Sequence, residues 1–124
     1  MDYHPSGKSI SPENIIPCLT ILNQLGNAYL DLEKSKKAKD YLEQALRLIP
    51  NDVHLSLKAS IYNNLGNAYS SLGQYQEAIE YYQAALQLFQ QLGNPYNVIL
   101  CLDNLGKTYR VLKQYLSSVT LGEP

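Results

Sequence analysis

The phrase Leu-Gly-Asn-Ala-Tyr at 25–29 returns unchanged at 65–69, and returns as Leu-Gly-Lys-Thr-Tyr at 105–109. The interval is 40 residues both times. Leu25, Leu65 and Leu105 therefore fall in register, as do Gly26, Gly66 and Gly106, and Tyr29, Tyr69 and Tyr109. A fixed period of this length means one supersecondary unit stacked several times, because a single unit cannot bury its apolar face alone.

The content of the unit is clearest in the second copy. Leu57, Ile61, Leu65, Ala68 and Leu72 are spaced four, four, three and four apart, which is one stripe of an α-helix. Ser-Ser-Leu-Gly-Gln then interrupts the stripe, and Gly73 suits the left-handed residue that ends a helix. Tyr75, Ala78, Ile79, Tyr82, Ala85, Leu86 and Phe89 form a second stripe. The unit is thus helix A, a tight turn and helix B. In the first copy Leu22, Leu25, Gly26, Ala28 and Tyr29 supply helix A. Ala38, Leu42, Ala45, Leu46 and Ile49 supply helix B, Pro50 closes it, and Asn51 is expected to cap the next helix. Pro17 leaves two starts open for the first helix: near Ile16, or at Ser11-Pro12 with a kink at Pro17.

A glycine inside a helix is about 1 kcal/mol worse than alanine. Its return at the same point of every unit argues for close contact between helices A and B there, with Ala68, Ala78 and Ala85 also small.

The third unit starts well, with Asn94-Pro95 as N-cap and first helical residue and with Leu102, Leu105, Gly106 and Tyr109 in place. It then has Gln-Tyr-Leu-Ser-Ser-Val-Thr-Leu-Gly-Glu-Pro where the second unit has a full helix B. Five good helices and a poor sixth are expected. The apolar side of the third helix A would be under-covered, which makes Leu102, Leu105, Leu112 and Leu116 the expected association surface, toward a second copy or further repeats.

The chain has 124 residues, 45% apolar and 17% charged, with a net charge of −1. That is enough for one folded domain and gives no electrostatic footprint for nucleic acid or an anionic membrane. No apolar run spans a bilayer and residues 1–10 resemble no secretory leader, so a loose tail and a cytoplasmic location are expected. Cys18 and Cys101 sit in apolar helical patterns and read as two buried, reduced thiols, with no metal site and no cofactor. The run Glu33–Asp40 reads as a solvated helix face with i,i+4 pairs Glu33–Lys37, Lys36–Asp40 and Lys39–Glu43. No phosphate loop, metalloprotease motif, nucleophile elbow or Cys–His pairing is present, so catalysis is not expected.

The combination Tyr62, Leu65, Gly66, Tyr69, Ala78 and Tyr82, met again by Leu22, Leu25, Gly26, Tyr29, Ala38, Leu42 and Pro50, resembles the tetratricopeptide repeat family. Its usual period is about 34 residues, shorter than the 40 here. The resemblance implies an all-α fold, a right-handed superhelical array of antiparallel helix pairs of about two and a half repeats. These fall approximately at 12–50, 51–93 and 94–121, within a domain of residues 11–124. It further implies a scaffold that binds a peptide or protein in a concave groove lined by the A helices. The groove positions are Asn23, Asn27, Asn63, Asn64, Asn67, Asp103, Asn104, Lys107 and Arg110. The asparagines either offer a ladder of amides to a bound peptide backbone or bond to neighbouring helices. A two-carboxylate clamp of the kind some family members carry is not expected, because Asn23 and Leu100 stand where it needs lysines and Asn104 where it needs arginine. The alternatives are a regulatory segment of a larger multidomain protein and a self-associating structural module.

Overall fold

The computed structural model describes residues 12–121, and the tail expected at 1–10 lies outside them. Five α-helices follow one another: α1 (Pro12–Asp31), α2 (Ser35–Leu48), α3 (Leu55–Ser71), α4 (Tyr75–Gln91) and α5 (Pro95–Leu121). Consecutive helices pack on each other, and α1 also packs on α3. The A helices α1, α3 and α5 thus make one layer, with α2 and α4 behind them.

Three of the four connections involve the same turn. After α1, the Glu33 amide donates to the Leu30 carbonyl and the Lys34 amide to Tyr29. After α3, Gly73 donates to Ser70 and Gln74 to Tyr69; after α4, Gly93 donates to Gln90 and Asn94 to Phe89. This pair of bonds is the Schellman motif, and it requires one left-handed residue. Gly73 (φ 78°) and Gly93 (φ 69°) take that role, and so does Glu33 (φ 60°). A side chain in this conformation is strained by roughly 1–2 kcal/mol, which the burial of α2 offsets: Ala38, Leu42 and Ala45 are fully buried beyond the turn. In the fourth connection, Pro50 to His54, Asn51 does not cap α3; the helix starts after His54, itself at φ 51°. Asn94 does cap α5, its side-chain oxygen accepting from the Asn97 amide at 3.2 Å.

Among the described residues the sixth helix does not form. Lys113 stands in register with Glu33 and Gly73, but the chain continues as helix through it, and residues 114–121 prolong α5. Beyond Lys113 the positions equivalent to Ala38 and Leu42 hold Ser118 and Gly122, so little apolar burial would reward the strained turn. At the other end α1 runs from Pro12 straight across Pro17, which settles the two starts in favour of the earlier one.

The core follows the stripes. One cluster joins Leu19 to Ala38, Leu42, Ala45 and Ile49 of the α2 segment and to Ile61, Leu65 and Ala68 of α3. A second joins Ala59, Ala85, Phe89 and Cys101, and a third joins Ala78, Ile79 and Tyr82 to Leu105. Two expectations need correction. Cys18 is exposed, because it lies about 100° round the helix from buried Leu19. The acid–base pairs expected on α2 do not form among the described residues. Lys37 lies over the Tyr29 ring at 5.6 Å and Lys39 over Tyr69 at 5.0 Å, while Glu43 accepts the Tyr69 hydroxyl hydrogen bond.

The glycines show what the repeated phrase is for. A Cβ on Gly26 would lie 2.5 Å from Leu42, and one on Gly66 would lie 2.5 Å from the Tyr82 ring. Each glycine is a slot in helix A that receives a helix B side chain sixteen residues later. Gly106 has the same letter and no occupant: a Cβ there meets nothing within 4 Å.

Candidate functional site

The layer of A helices carries the predicted groove residues, and the structure divides them into two groups. The first group is engaged within the array. The Asn64 amide donates to Asn23 Oδ1 at 2.9 Å, and one unit later Asn104 donates to Asn63 Oδ1 at 3.1 Å. The two bonds are the same clasp, 41 residues apart in sequence each time, joining one A helix to the next. Asn23 also donates to Ser60 Oγ at 3.0 Å, and the Cys101 thiol points at Asn63 Oδ1 at 3.7 Å. Asn67 accepts from the Tyr82 hydroxyl at 2.5 Å, through the Gly66 slot. The amide ladder is therefore largely occupied by neighbouring helices rather than presented whole to a ligand.

The second group faces solvent. Asn27, Asp103, Lys107 and Arg110 are exposed, and Asp103 and Lys107 pair at 3.0 Å in an i,i+4 bridge. Such an exposed pair adds little to stability, so both side chains can be recruited by a ligand at small cost. Tyr96 was missed in the sequence and Leu100 was read only as a clamp position without its lysine; both are exposed near the start of α5 and lie within about 40° of Lys107 around the helix. Their signal was available as apolar residues off the buried stripe. Leu105 and Leu112, expected on an association surface, instead face α4: Leu105 is buried against Tyr82 and Leu112 packs on the same cluster. Leu102 and Leu116 are exposed.

Burial pushes the Cys101 thiol up to about 11, so it stays protonated at neutral pH. Among the described residues no three His, Cys, Asp or Glu side chains gather as a metal site, and no helix is long and apolar enough to cross a membrane.

Burial also raises the ionisation of Tyr69, Tyr81 and Tyr82 above the ordinary value of 10.0, with the Glu43 hydrogen bond adding to the effect at Tyr69. A raised folded value means that the unfolded chain loses its proton first. The stability these groups contribute is complete below their unfolded values, 9.0 for the thiol and 10.0 for the phenols, and falls as pH rises beyond them. Urea midpoints measured across this range should be level in the neutral region and decline from about pH 9 upward. A flat profile through the alkaline range would mean that these side chains are not held as described.

Two stretches, residues 20–52 and 57–123, match the family described as Tetratricopeptide repeat, and the second alone spans more than half of the chain. The chain belongs to the tetratricopeptide repeat family. A crystal structure of the TPR domain of Arabidopsis FLU superposes with a TM-score of 0.61 at 19% identity, covering 86% of this chain and 98% of that one. At that identity the likeness concerns the fold, and it shows an all-α tetratricopeptide array. No curated protein sequence matches closely enough to count as a relative. Tetratricopeptide repeats as a family mediate protein–protein interaction. The family match to residue 123 includes residues 114–121, which prolong α5 where the two earlier units turn into α2 and α4.

Proposed function

We propose that this chain is a non-catalytic binding module that takes a peptide or protein segment along the face of α1, α3 and α5. The observation that carries the reading is the clasp repeated between Asn23 and Asn64 and between Asn63 and Asn104. Amides tied across helices make a floor of fixed geometry, and a pre-formed surface loses less entropy when it binds. Above that floor stand Asn27, Lys107 and Arg110 as donors and Tyr96 and Leu100 as apolar contacts. The donors suit a segment with at least one acidic side chain near an apolar one. Asn23, Asn63, Asn64, Asn67 and Asn104 support the site by positioning, and Asp103 screens Lys107 until a ligand displaces it.

The test is selection of peptides from a displayed random library on the immobilised chain. Enriched peptides should carry acidic residues, and their binding should weaken by about tenfold in Lys107→Ala/Arg110→Ala, one to two charge-assisted contacts' worth, with the melting temperature unchanged. Asn64→Ala/Asn67→Ala should instead lower the melting temperature, since both amides bond to the array. No enrichment, or peptides indifferent to Lys107 and Arg110, would sink the proposal.

A further inference from the structure

One side of α5 lacks the cover that its counterpart has. On α3, Ala59, Tyr62, Gly66 and Tyr69 meet α4 and are buried or half-buried. One period later the same positions hold Ile99, Leu102, Gly106 and Tyr109. The three side chains are 64%, 51% and 48% exposed, with Tyr109 tied to α4 at its hydroxyl alone, which accepts from Gln83 Nε2 at 3.2 Å, and the Gly106 slot is open. The residue in register to fill that slot has no side chain. The fillers come sixteen residues after their glycines, Leu42 for Gly26 and Tyr82 for Gly66, and sixteen after Gly106 stands Gly122, which has no side chain to insert.

The exposed positions continue along the helix. Ile99, Leu102, Gly106, Tyr109, Lys113 and Leu116 follow at intervals of three, four, three, four and three, the seam of a two-helix coiled coil. Laid antiparallel against a copy of itself, this seam pairs in one register along its whole length. Ile99 meets Leu116 of the other copy, Leu102 meets the stem of Lys113, and Gly106 meets Tyr109. The same register brings Asp103 beside Arg110 of the other copy, opposite charges on the flank.

We propose that two copies of this chain associate through α5 about a two-fold axis, each inserting its Tyr109 into the other's Gly106 slot. The contact repeats between chains what Tyr82 does to Gly66 within one chain. The second α5 lies where a helix B would have lain, and the contact uses the length that α5 gains by running on past Lys113. The interface is isologous, as a closed dimer requires. Its seam lies at the end of the array and its flank borrows Asp103 and Arg110 from the groove, so Gly106→Leu, which leaves both charges in place, is the variant that separates association from peptide binding.

Sedimentation equilibrium over a range of concentrations tests it, with Gly106→Leu as the informative variant. A side chain at Gly106 meets open space in the single chain, so folding is preserved and the melting temperature of the dilute protein should not fall. The filled slot excludes Tyr109 of the other copy, so the dissociation constant should rise by about tenfold or more. In a Cys18→Ser/Cys101→Ala background, Asp103→Cys/Arg110→Cys should oxidise to a covalent dimer. The two positions lie about 10 Å apart on one helix and cannot close within a chain. A chain that stays monomeric throughout overturns the proposal and leaves the stripe to another partner. A dimer that tolerates Gly106→Leu, or that gives no 103–110 cross-link, overturns it as well.

Discussion

Gly66→Leu should be among the most damaging single substitutions in this chain, while Gly106→Leu, the same change one period later, should be harmless or mildly stabilising to the isolated fold. At Gly66 the first added carbon would lie 2.5 Å from the Tyr82 ring, so the ring must leave the slot and the hydrogen bond from its hydroxyl to Asn67 must break. Overpacking of this kind and the lost bond together amount to about 2–4 kcal/mol. At Gly106 an added Cβ meets nothing within 4 Å beyond its own helix backbone, and the better helix former gains roughly 0.5–1 kcal/mol. Thermal unfolding of dilute protein would separate the two by on the order of 10 °C or more. Equal effects at the two sites would mean that the slot is not what the glycine serves.

The first unit makes the complementary case. Leu42 is fully buried and lies over Gly26, so Leu42→Ala should destabilise by about 2–5 kcal/mol through lost burial and the cavity left behind. Gly26→Ala should be unfavourable by itself, because its Cβ would meet Leu42 at 2.5 Å. Combined, the two changes should be less damaging than their separate effects added, by about 1 kcal/mol, since the alanine at 26 occupies part of the space that Leu42 vacates. Urea denaturation of the four proteins in the cycle measures this. Strict additivity would place the two residues out of contact.

Much of the fold was legible because the phrase at 25–29, 65–69 and 105–109 sets a period, and the stripes around it are unambiguous over three helices and most of a fourth. Less legible was the fate of the turn after the third helix A. Glu33 and Lys113 occupy the same register position, neither is glycine, and only Glu33 turns left-handed. The difference lies further on, in Ala38 and Leu42 against Ser118 and Gly122, where burial either offsets the strain or does not. The site was half legible. Asparagines at helical spacing marked the A helices, but their partners lie 41 residues away on another helix, and no local spacing reveals which amides are already taken. Lys37 and Lys39 had acidic residues four positions away in sequence, Glu33 and Glu43, yet they lie over tyrosine rings of adjacent helices.

The slot filler has a further role, set by whether it ends in a methyl group or a hydroxyl. Tyr82 reaches through the Gly66 gap to the far side of α3 and takes the oxygen of Asn67, while Leu42, in the same seat against α1, stops short, and Asn27 keeps its amide facing outward. A residue on the hidden layer thereby chooses how polar the opposite surface is. Leu42→Tyr would mute Asn27 and Tyr82→Phe would release Asn67 without altering any residue on the A helices. The polarity of the face proposed for binding can thus be retuned from behind, one unit at a time, by substitutions that a comparison of surface residues alone would never register.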